Sequence, residues 1–538
     1  MIRKIACIGG GPGGLFFALL AKRADPSREV TVYERNRATD TFGFGVVFSD
    51  ATLARIDNAD PVLRMALDEH GVHWDPIEVR LKGERLLCAG MGMAAVERKI
   101  LLSLLQDRAL AAGVDIRFET QADPADLLAS DVDLVVAADG ANSRAREMFA
   151  DQLVPSVEVA SAKFIWFGTT YPFHGLTFVH ERGPHGVFAV HGYPIGNGIS
   201  TFIVETDEAS WRAAGLDSFE VNQPPGPSDE ESKRYLEKLF AEQIDGSALL
   251  TNNSRWGNFR TWRAREWAHE RMALLGDAAH TAHFSVGSGT KMAMEDAVAL
   301  AAALDEHSTD SSALLSAYEQ DRQPQVAKIQ DSARPSLSWW EHFGRYYDSL
   351  QPWQFAYHFL TRSLTDAQLA RRDPAFVQGS HDRWQAIHQA SPVRTPISIG
   401  RATHASRTVT VHRDPEKAWA AMDCGPLDLH PARPEGAGTW ALWLDAPGKE
   451  ADLPQALNRL DAGIADGAAL VAVGGGVPLT RRLLTEQARL GHGTASLLMA
   501  DDFGSADADA LVDWAQTMVL SGRTDLVGII EAPSGNRR

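Results

Sequence analysis

Cysteine is scarce. The 538 residues include three, Cys7, Cys88 and Cys424, far apart and in no CxxC pair. A disulfide scaffold and a cysteine-built zinc site are thereby excluded, and no other metal motif stands out. Long apolar runs are missing too. The N-terminal run Ile5–Ile8 breaks at once into glycines, and no stretch of about 18 apolar residues follows, so neither a signal peptide nor a membrane span is expected. Positive charge is in deficit: the net charge is −18, residues 391–538 are themselves acidic on balance, and nucleic acid is not expected as a partner. Tyrosine and phenylalanine run out towards the end, for all eight Tyr precede residue 358 and only Phe503 of the 22 Phe follows residue 390.

What is present is the ordinary mix of a soluble globular chain, 44% hydrophobic and 23% charged. A cytoplasmic enzyme is the expectation. At roughly 150 residues per domain the length allows three or four domains. Residues 391–412 are polar, contain two prolines and lack helical periodicity, so a linker is expected there. Before it, strand-like RKIACIGG (3–10), EVTVYER (29–35), DVDLVVAADG (131–140) and MALLGD (272–277) alternate with helical runs. Aromatic-rich strands interrupt that pattern between Lys163 and Glu205. Parallel α/β elements broken by an antiparallel sheet predict a nucleotide-binding domain with a substrate-binding sheet interleaved around 160–260 and a helical end over 311–390. Residues 413–538 read as a small α/β domain.

The strongest local signal is GGGPGG, with Gly9, Gly11 and Gly14 in the GxGxxG register and Gly13 within it. It follows an apolar strand and opens an amphipathic helix. Glycine allows the tight turn, the approach of a pyrophosphate and close packing of helix on strand, while the helix N-terminus faces the negative charge. Glu34, with Arg35 beside it, ends the next strand about 20 residues on, where an acid accepts from a ribose 2′-hydroxyl. That acid disfavours a 2′-phosphate and leaves FAD or NAD. Two further strand ends carry Asp139-Gly140 and Gly276-Asp277, each able to meet sugar hydroxyls. After the second, Ser285, Gly287 and Gly289 form a loop that can approach a flat ring, and a helix from near Thr290 would direct its amides at the ligand.

GxGxxG, DGxxSxxR and GDAAH in this order resemble the single-component FAD-dependent aromatic hydroxylases of the p-hydroxybenzoate hydroxylase class. The resemblance implies FAD as resident cofactor, NADH or NADPH as transient donor and O2 as co-substrate, with oxygen transferred by a flavin C4a-hydroperoxide. It also implies that Arg98 touches the FAD phosphates or ribityl chain, that Asp277 binds the ribityl chain, and that Gly45, Val46 and Val47 line the isoalloxazine. The blocks YERNRATDTFGFGVVFSD, FIWFGTT, STFIVET and QFAYHFLTRS narrow the likeness to aryl-CoA hydroxylases, the salicylyl-CoA 5-hydroxylase and the monooxygenase half of 2-aminobenzoyl-CoA monooxygenase/reductase. This covers residues 1–390. The end of the chain resembles the last units of an old-yellow-enzyme-like barrel, yet is too short for an eight-unit barrel of about 200–250 residues. A degenerate, partial-barrel-like C-terminal domain is the expectation.

Two histidines stand out as catalytic candidates: His283, on the loop that should border the flavin, and His191, on the sheet that should roof the substrate. Either could polarise a ring hydroxyl or amino group, because imidazole titrates near neutrality. Phe164, Trp166, Phe167, Tyr193 and Phe202 are expected in the core, and His280 to pack or cap locally. The expected reaction is 5-hydroxylation of salicylyl-CoA. A 2-aminobenzoyl-CoA or free aromatic such as tryptophan is the alternative substrate, and a homodimer is an open option. From other classes, a non-hydroxylating flavoprotein with a docking C-terminal module, or a colourless NAD-dependent dehydrogenase, are the rivals.

Overall fold

The computed structural model describes residues 1–41, 43–219, 227–284, 289–400, 402–413, 420–422, 428–503 and 508–530. The chain forms two compact units, Met1–His342 and Phe343–Arg538.

Short apolar runs such as Lys4–Ile8 (KIACI) and Leu134–Ala137 (LVVA) are covered on both faces, the pattern that marks central parallel strands. They lie in a six-stranded sheet ordered Ala268–His269, Met272–Leu274, Leu134–Ala137, Lys4–Ile8, Glu29–Tyr33, Asp115–Arg117. Only the first pairing is antiparallel. Helices Pro12–Ala24 and Gly289–Glu306 pack against each other. Gly13 makes this contact close, since a Cβ there would lie 3.1 Å from the Ala293 carbonyl oxygen and 3.2 Å from Ala293 Cβ on the second helix.

The interleaved sheet is larger and mainly antiparallel. Its long strands are Pro155–Thr169, Leu176–Gly183, Gly186–Gly196 and Ile199–Thr206. Strand alternation sorts its aromatics by parity. Ile165, Phe167, Phe188, Val190, Phe202 and Val204 point to one side and form a core with Trp211, Leu236 and Phe240. Register places Trp166 opposite Ile203 and Phe164 opposite Glu205 on the other side, where Tyr193 and Ile195 gather with Phe284. The expected core assignment therefore holds for Phe167 and Phe202 on the helix-covered face. Tyr193 is also buried in a core, on the opposite face with Trp74, Ile195 and Ile203, and Phe164 and Trp166 lie half-buried on that face.

Strand Gly45–Ser49 belongs to a small three-stranded sheet pressed against that second face. A Cβ on Gly45 would sit 2.3 Å from Ile195 Cγ2, so the glycine is required by close packing. Alternation also separates the next two residues: Val46 is buried in the nucleotide-domain core, whereas Val47 packs with Tyr193 and Phe284. Both side chains cannot line one ring.

The second unit holds a seven-stranded sheet in which Thr408–Arg413, Leu526–Ile530, Ala495–Met499, Ala468–Gly474, Trp440–Asp445 and Leu429–His430 run parallel in that order. Ala420–Met422 adds an antiparallel edge. Among the described residues the two edges do not pair, so the sheet is an open half-barrel, as its length requires. The strand Ala468–Gly474 ends in a turn: Gly475 and Gly476 have positive φ, and a Cβ on Gly476 would meet the Ala446 carbonyl at 2.4 Å.

The domain division differs from the one expected at 391–412. Thr408–Arg413 is a strand of the second sheet, and the boundary falls inside the helix Ser311–Ser349. Helical segments 352–388 belong to the second unit because they bond to its last helix and turn: Asp366 N donates to Thr517 Oγ1, Gln354 Nε2 to the Leu520 carbonyl, and Arg523 to the His358 carbonyl.

Candidate active site

The glycine run places each residue as its chemistry requires. Gly9 has φ +107°, and a Cβ on it would lie 2.3 Å from the Ala138 carbonyl oxygen. A Cβ on Gly14 would meet the Gly9 carbonyl oxygen at the same distance, so strand and helix touch backbone to backbone. Gly11 is different: it sits at the helix N-terminus and a Cβ there would meet nothing within 4 Å. Glu34 follows the second strand, accepting from Gly10 N at 2.8 Å through Oε2 and from Asn36 N at 2.8 Å through Oε1. These bonds fix the carboxylate over the glycine turn and leave lone pairs for a ribose. Arg35, beside it, is exposed.

The two Asp-bearing strand ends are tied together. Asp139 Oδ2 accepts from Arg144 N (2.7 Å) and Ala145 N, while its Oδ1 is buried without a hydrogen-bond partner among the described residues. Gly140 supplies the positive φ of the turn. Ser143 caps the next short helix through Arg146 N, and the Arg146 guanidinium lies 3.9 Å above the Trp262 ring. It donates to the carbonyls of Asp277 and Ala278 and to that of Ala141, joining the DG turn to the GD turn. Burial raises the Asp277 carboxyl above its ordinary value, with His280 and Arg98 opposing. Arg98 opens the helix Arg98–Ala112, and burial lowers its guanidinium, opposed by Asp277 and Tyr193. Gly289, first residue of its helix, has its Cβ position 4.0 Å from Asp277 Oδ1; Thr290 follows it, half-buried. Ser285 and Gly287 lie outside the described residues.

His280 does more than pack locally. Its Nε2 is 2.7 Å from Asp296 Oδ2, which also accepts from Gly276 N at 3.1 Å. Asp296 Oδ1 accepts from Arg322 Nε at 2.8 Å. Burial alone would raise the Asp296 carboxyl, but His280 and Arg322 outweigh it and the net shift is downward. A wholly buried carboxylate thus clamps the GD turn between two helices.

On the second face of the large sheet, His191 and Glu205 are diagonal neighbours, because His191 pairs with Ile203. His191 Nε2 lies 3.1 Å and His283 Nε2 3.6 Å from Glu205 Oε1. The structure thus brings together the two histidines expected to be catalytic. Rings enclose them: Trp340 at 4.4 Å and Phe178 at 4.9 Å from His191, Phe259 at 4.9 Å and Phe284 at 4.3 Å from His283.

Comparison with known proteins supplies the family. A family model described as an FAD binding domain matches residues 3–333. The chain is 57% identical over 529 residues to a salicyloyl-CoA 5-hydroxylase from Streptomyces sp, covering 98% of this chain and 99% of that protein. It belongs to the FAD-dependent aromatic hydroxylases. A 3-hydroxy-4-methyl-anthranilyl-[aryl-carrier protein] 5-monooxygenase from Streptosporangium sibiricum is 36% identical over 337 residues, covering 62% of this chain and 88% of its own. A solved 2-methyl-3-hydroxypyridine-5-carboxylic acid oxygenase shares the fold, with a TM-score of 0.51 at 20% identity over 63% of this chain and 92% of its own.

FAD fits the residues present. The open space at Gly11, the buried unsatisfied Asp139 Oδ1 and the carboxylate of Glu34 over the turn are the features a flavin dinucleotide needs for its pyrophosphate and sugars. For this hydroxylase, sequence reasoning assigned no role to Glu205, to the Asp296–Arg322 pair or to Trp340. Glu205 had one signal: an acid inside the apolar strand run FIVET. Asp296 and Arg322 lie on separate helices and meet only in the fold.

Proposed function

We propose that this FAD-dependent hydroxylase acts on an aryl-CoA thioester, salicyloyl-CoA, and places the new hydroxyl at ring carbon 5. The observation that carries the reading is the 57% identity to a salicyloyl-CoA 5-hydroxylase, extending over 98% of the chain and so through the half-barrel unit. The carrier-protein relative is also named for a 5-monooxygenation of an aryl group.

The balanced reaction consumes the aromatic, O2, NAD(P)H and a proton, and yields the hydroxylated ring, water and NAD(P)+. FAD held at this site would supply the redox chemistry, accepting electrons from the nicotinamide and activating O2 for transfer of one oxygen atom. The chain's own residues bind, orient and exclude water. Gly9–Gly14 and the following helix receive the pyrophosphate, Glu34 the adenosine ribose, and Asp139, Asp277 and Arg98 the remaining polar groups. Trp166, Tyr193 and Phe284, with Phe164 edge-on to Phe284, form a dry wall on the substrate face. There, His191 or His283 takes the proton of the ring hydroxyl. The electron pair left on that oxygen raises electron density at the para position, carbon 5, where an electrophilic oxygen adds. Proton removal of this kind contributes about 10²–10⁴ in rate.

The test is NADH and NADPH oxidation by the yellow holoenzyme across a panel of salicyloyl-CoA, 2-aminobenzoyl-CoA, benzoyl-CoA, free salicylate and tryptophan. Salicyloyl-CoA should stimulate oxidation at least tenfold over the free acid. Equal stimulation by salicylate or tryptophan overturns the thioester assignment, and selective stimulation by 2-aminobenzoyl-CoA overturns the choice of ring.

A further inference from the structure

Glu205 lies in the strand Ile199–Thr206 with apolar residues before it, and is 1% exposed. A carboxylate so far from water is retained only where charge and hydrogen-bonding groups compensate it. Here two imidazoles from different parts of the chain converge on the same oxygen, His191 Nε2 at 3.1 Å and His283 Nε2 at 3.6 Å. His191 comes from the adjacent strand Gly186–Gly196 and His283 from the loop after the GD turn. Both histidines are as dry as the acid, at 3% exposure each.

The other elements around this cluster bring rings. Phe164 stands opposite Glu205 on the strand Pro155–Thr169, Phe178 and Trp340 flank His191, and Phe259 flanks His283. The same sheet face also carries His180, stacked against Trp340, which burial holds down to about 3 and hence neutral at physiological pH. Glu205 lies within ion-pair distance of both catalytic candidates.

We propose that Glu205 is a positioning residue for proton removal: it holds both imidazoles by their Nε2 edge and stabilises the imidazolium formed when one takes the proton of the substrate's ring hydroxyl. The step is balanced within the site. The substrate O–H bond breaks, an imidazole N–H bond forms, the electron pair stays on oxygen, and the positive charge created faces an existing carboxylate. A carboxylate behind a histidine fixes its tautomer and orientation and raises its basicity. One acid serving two histidines means that loss of the acid disables both together. The inference rests on the reading of the site as a hydroxylase of a 2-hydroxyaryl thioester.

Glu205→Gln tests it in the holoenzyme. Oxidised enzyme is titrated with salicyloyl-CoA, and the absorbance of the bound phenolate is followed against pH alongside kcat, KM, flavin content and melting temperature. The variant should keep its flavin and a KM within about threefold of wild type, lose about 100-fold in kcat for hydroxylated product, and need a pH about one unit higher or more to ionise the bound phenol. Adding Glu205→Gln to a His191→Ala/His283→Ala enzyme should cost less than about threefold further, because residues acting as a unit are not additive. Wild-type kcat and phenol ionisation in Glu205→Gln overturn the proposal, as does a full further loss without the histidines. If Glu205→Gln does not accumulate folded, Glu205→Asp decides instead. It keeps the charge but withdraws it by one methylene: at least a tenfold fall in kcat at unchanged KM is expected, and wild-type kcat overturns the proposal. Wild-type enzyme that fails to hydroxylate salicyloyl-CoA overturns the functional reading. Active wild type with an indifferent Glu205→Gln overturns the positioning role alone.

Discussion

Gly14→Val is expected to yield protein without flavin, and Gly11→Ala to yield folded protein that holds flavin weakly. The two substitutions add carbon to the same loop but meet different obstacles. At position 14 the new Cβ falls 2.3 Å from the Gly9 carbonyl oxygen and 3.2 Å from Ala138 Cβ, atoms that cannot retreat without displacing the strand and its turn. At position 11 the backbone is extended, with φ −77°, and the new methyl meets no atom of the described residues within 4 Å. It occupies the space that a pyrophosphate needs in order to reach the helix amides. Apoprotein Gly11→Ala should melt within a few degrees of wild-type apoprotein yet lose at least about tenfold in FAD affinity, equivalent to ~1.4 kcal/mol. Gly14→Val should melt earlier and retain no flavin after desalting. A Gly11→Ala enzyme with normal FAD affinity would contradict the placement of the pyrophosphate.

The largest stability effect is expected at Asp296. It is 0% exposed, and Arg322, which it binds, is 2% exposed. Asp296→Ala leaves a buried guanidinium with Glu295 at 3.4 Å as residual compensation. Breaking a buried pair costs about 3–5 kcal/mol; Glu295 places the expectation near the lower end, measured by urea unfolding. The pH dependence has a definite sign. Burial pushes the Asp296 carboxyl up, His280 and Arg322 pull it further down, and the folded pKa ends below the ordinary value. Its contribution is therefore fully present above about pH 4, the ordinary carboxylate range, and is lost as pH falls through the depressed value. The stability gap between wild type and Asp296→Asn should be full at pH 6 and shrink towards pH 3. A gap unchanged over that range would show that the ion pair is not what the residue contributes.

These residues also show what a sequence can disclose. GGGPGG and Glu34 were legible because a nucleotide-binding turn is local chemistry, with strand, turn, helix and acid inside about 30 residues. A helical end beginning at 311 was legible, but not that its first helix runs unbroken over Ser311–Ser349 through Pro324 and Pro335. The unit boundary inside that helix was not, because a continuous helix carries no break in composition. Aromatic residues of the large sheet looked alike in sequence. Only register divides Phe167 and Phe202, in the core under the helices, from Phe164 and Trp166 on the opposite face. Glu205 was hidden for the same reason. Its partners are 14 residues before it and 78 after it, and the meeting depends on the diagonal pairing of two strands and on a loop from the nucleotide domain.

The central claim is that this flavin site and this histidine-bearing sheet face hydroxylate a 2-hydroxyaryl thioester para to its hydroxyl. Turnover of salicyloyl-CoA with NAD(P)H under 18O2, followed by mass spectrometry and NMR of the product, tests it most directly. The account predicts one 18O atom per product, on the ring carbon para to the original hydroxyl, with the thioester intact. Unlabelled product, or label at another ring position, would contradict it.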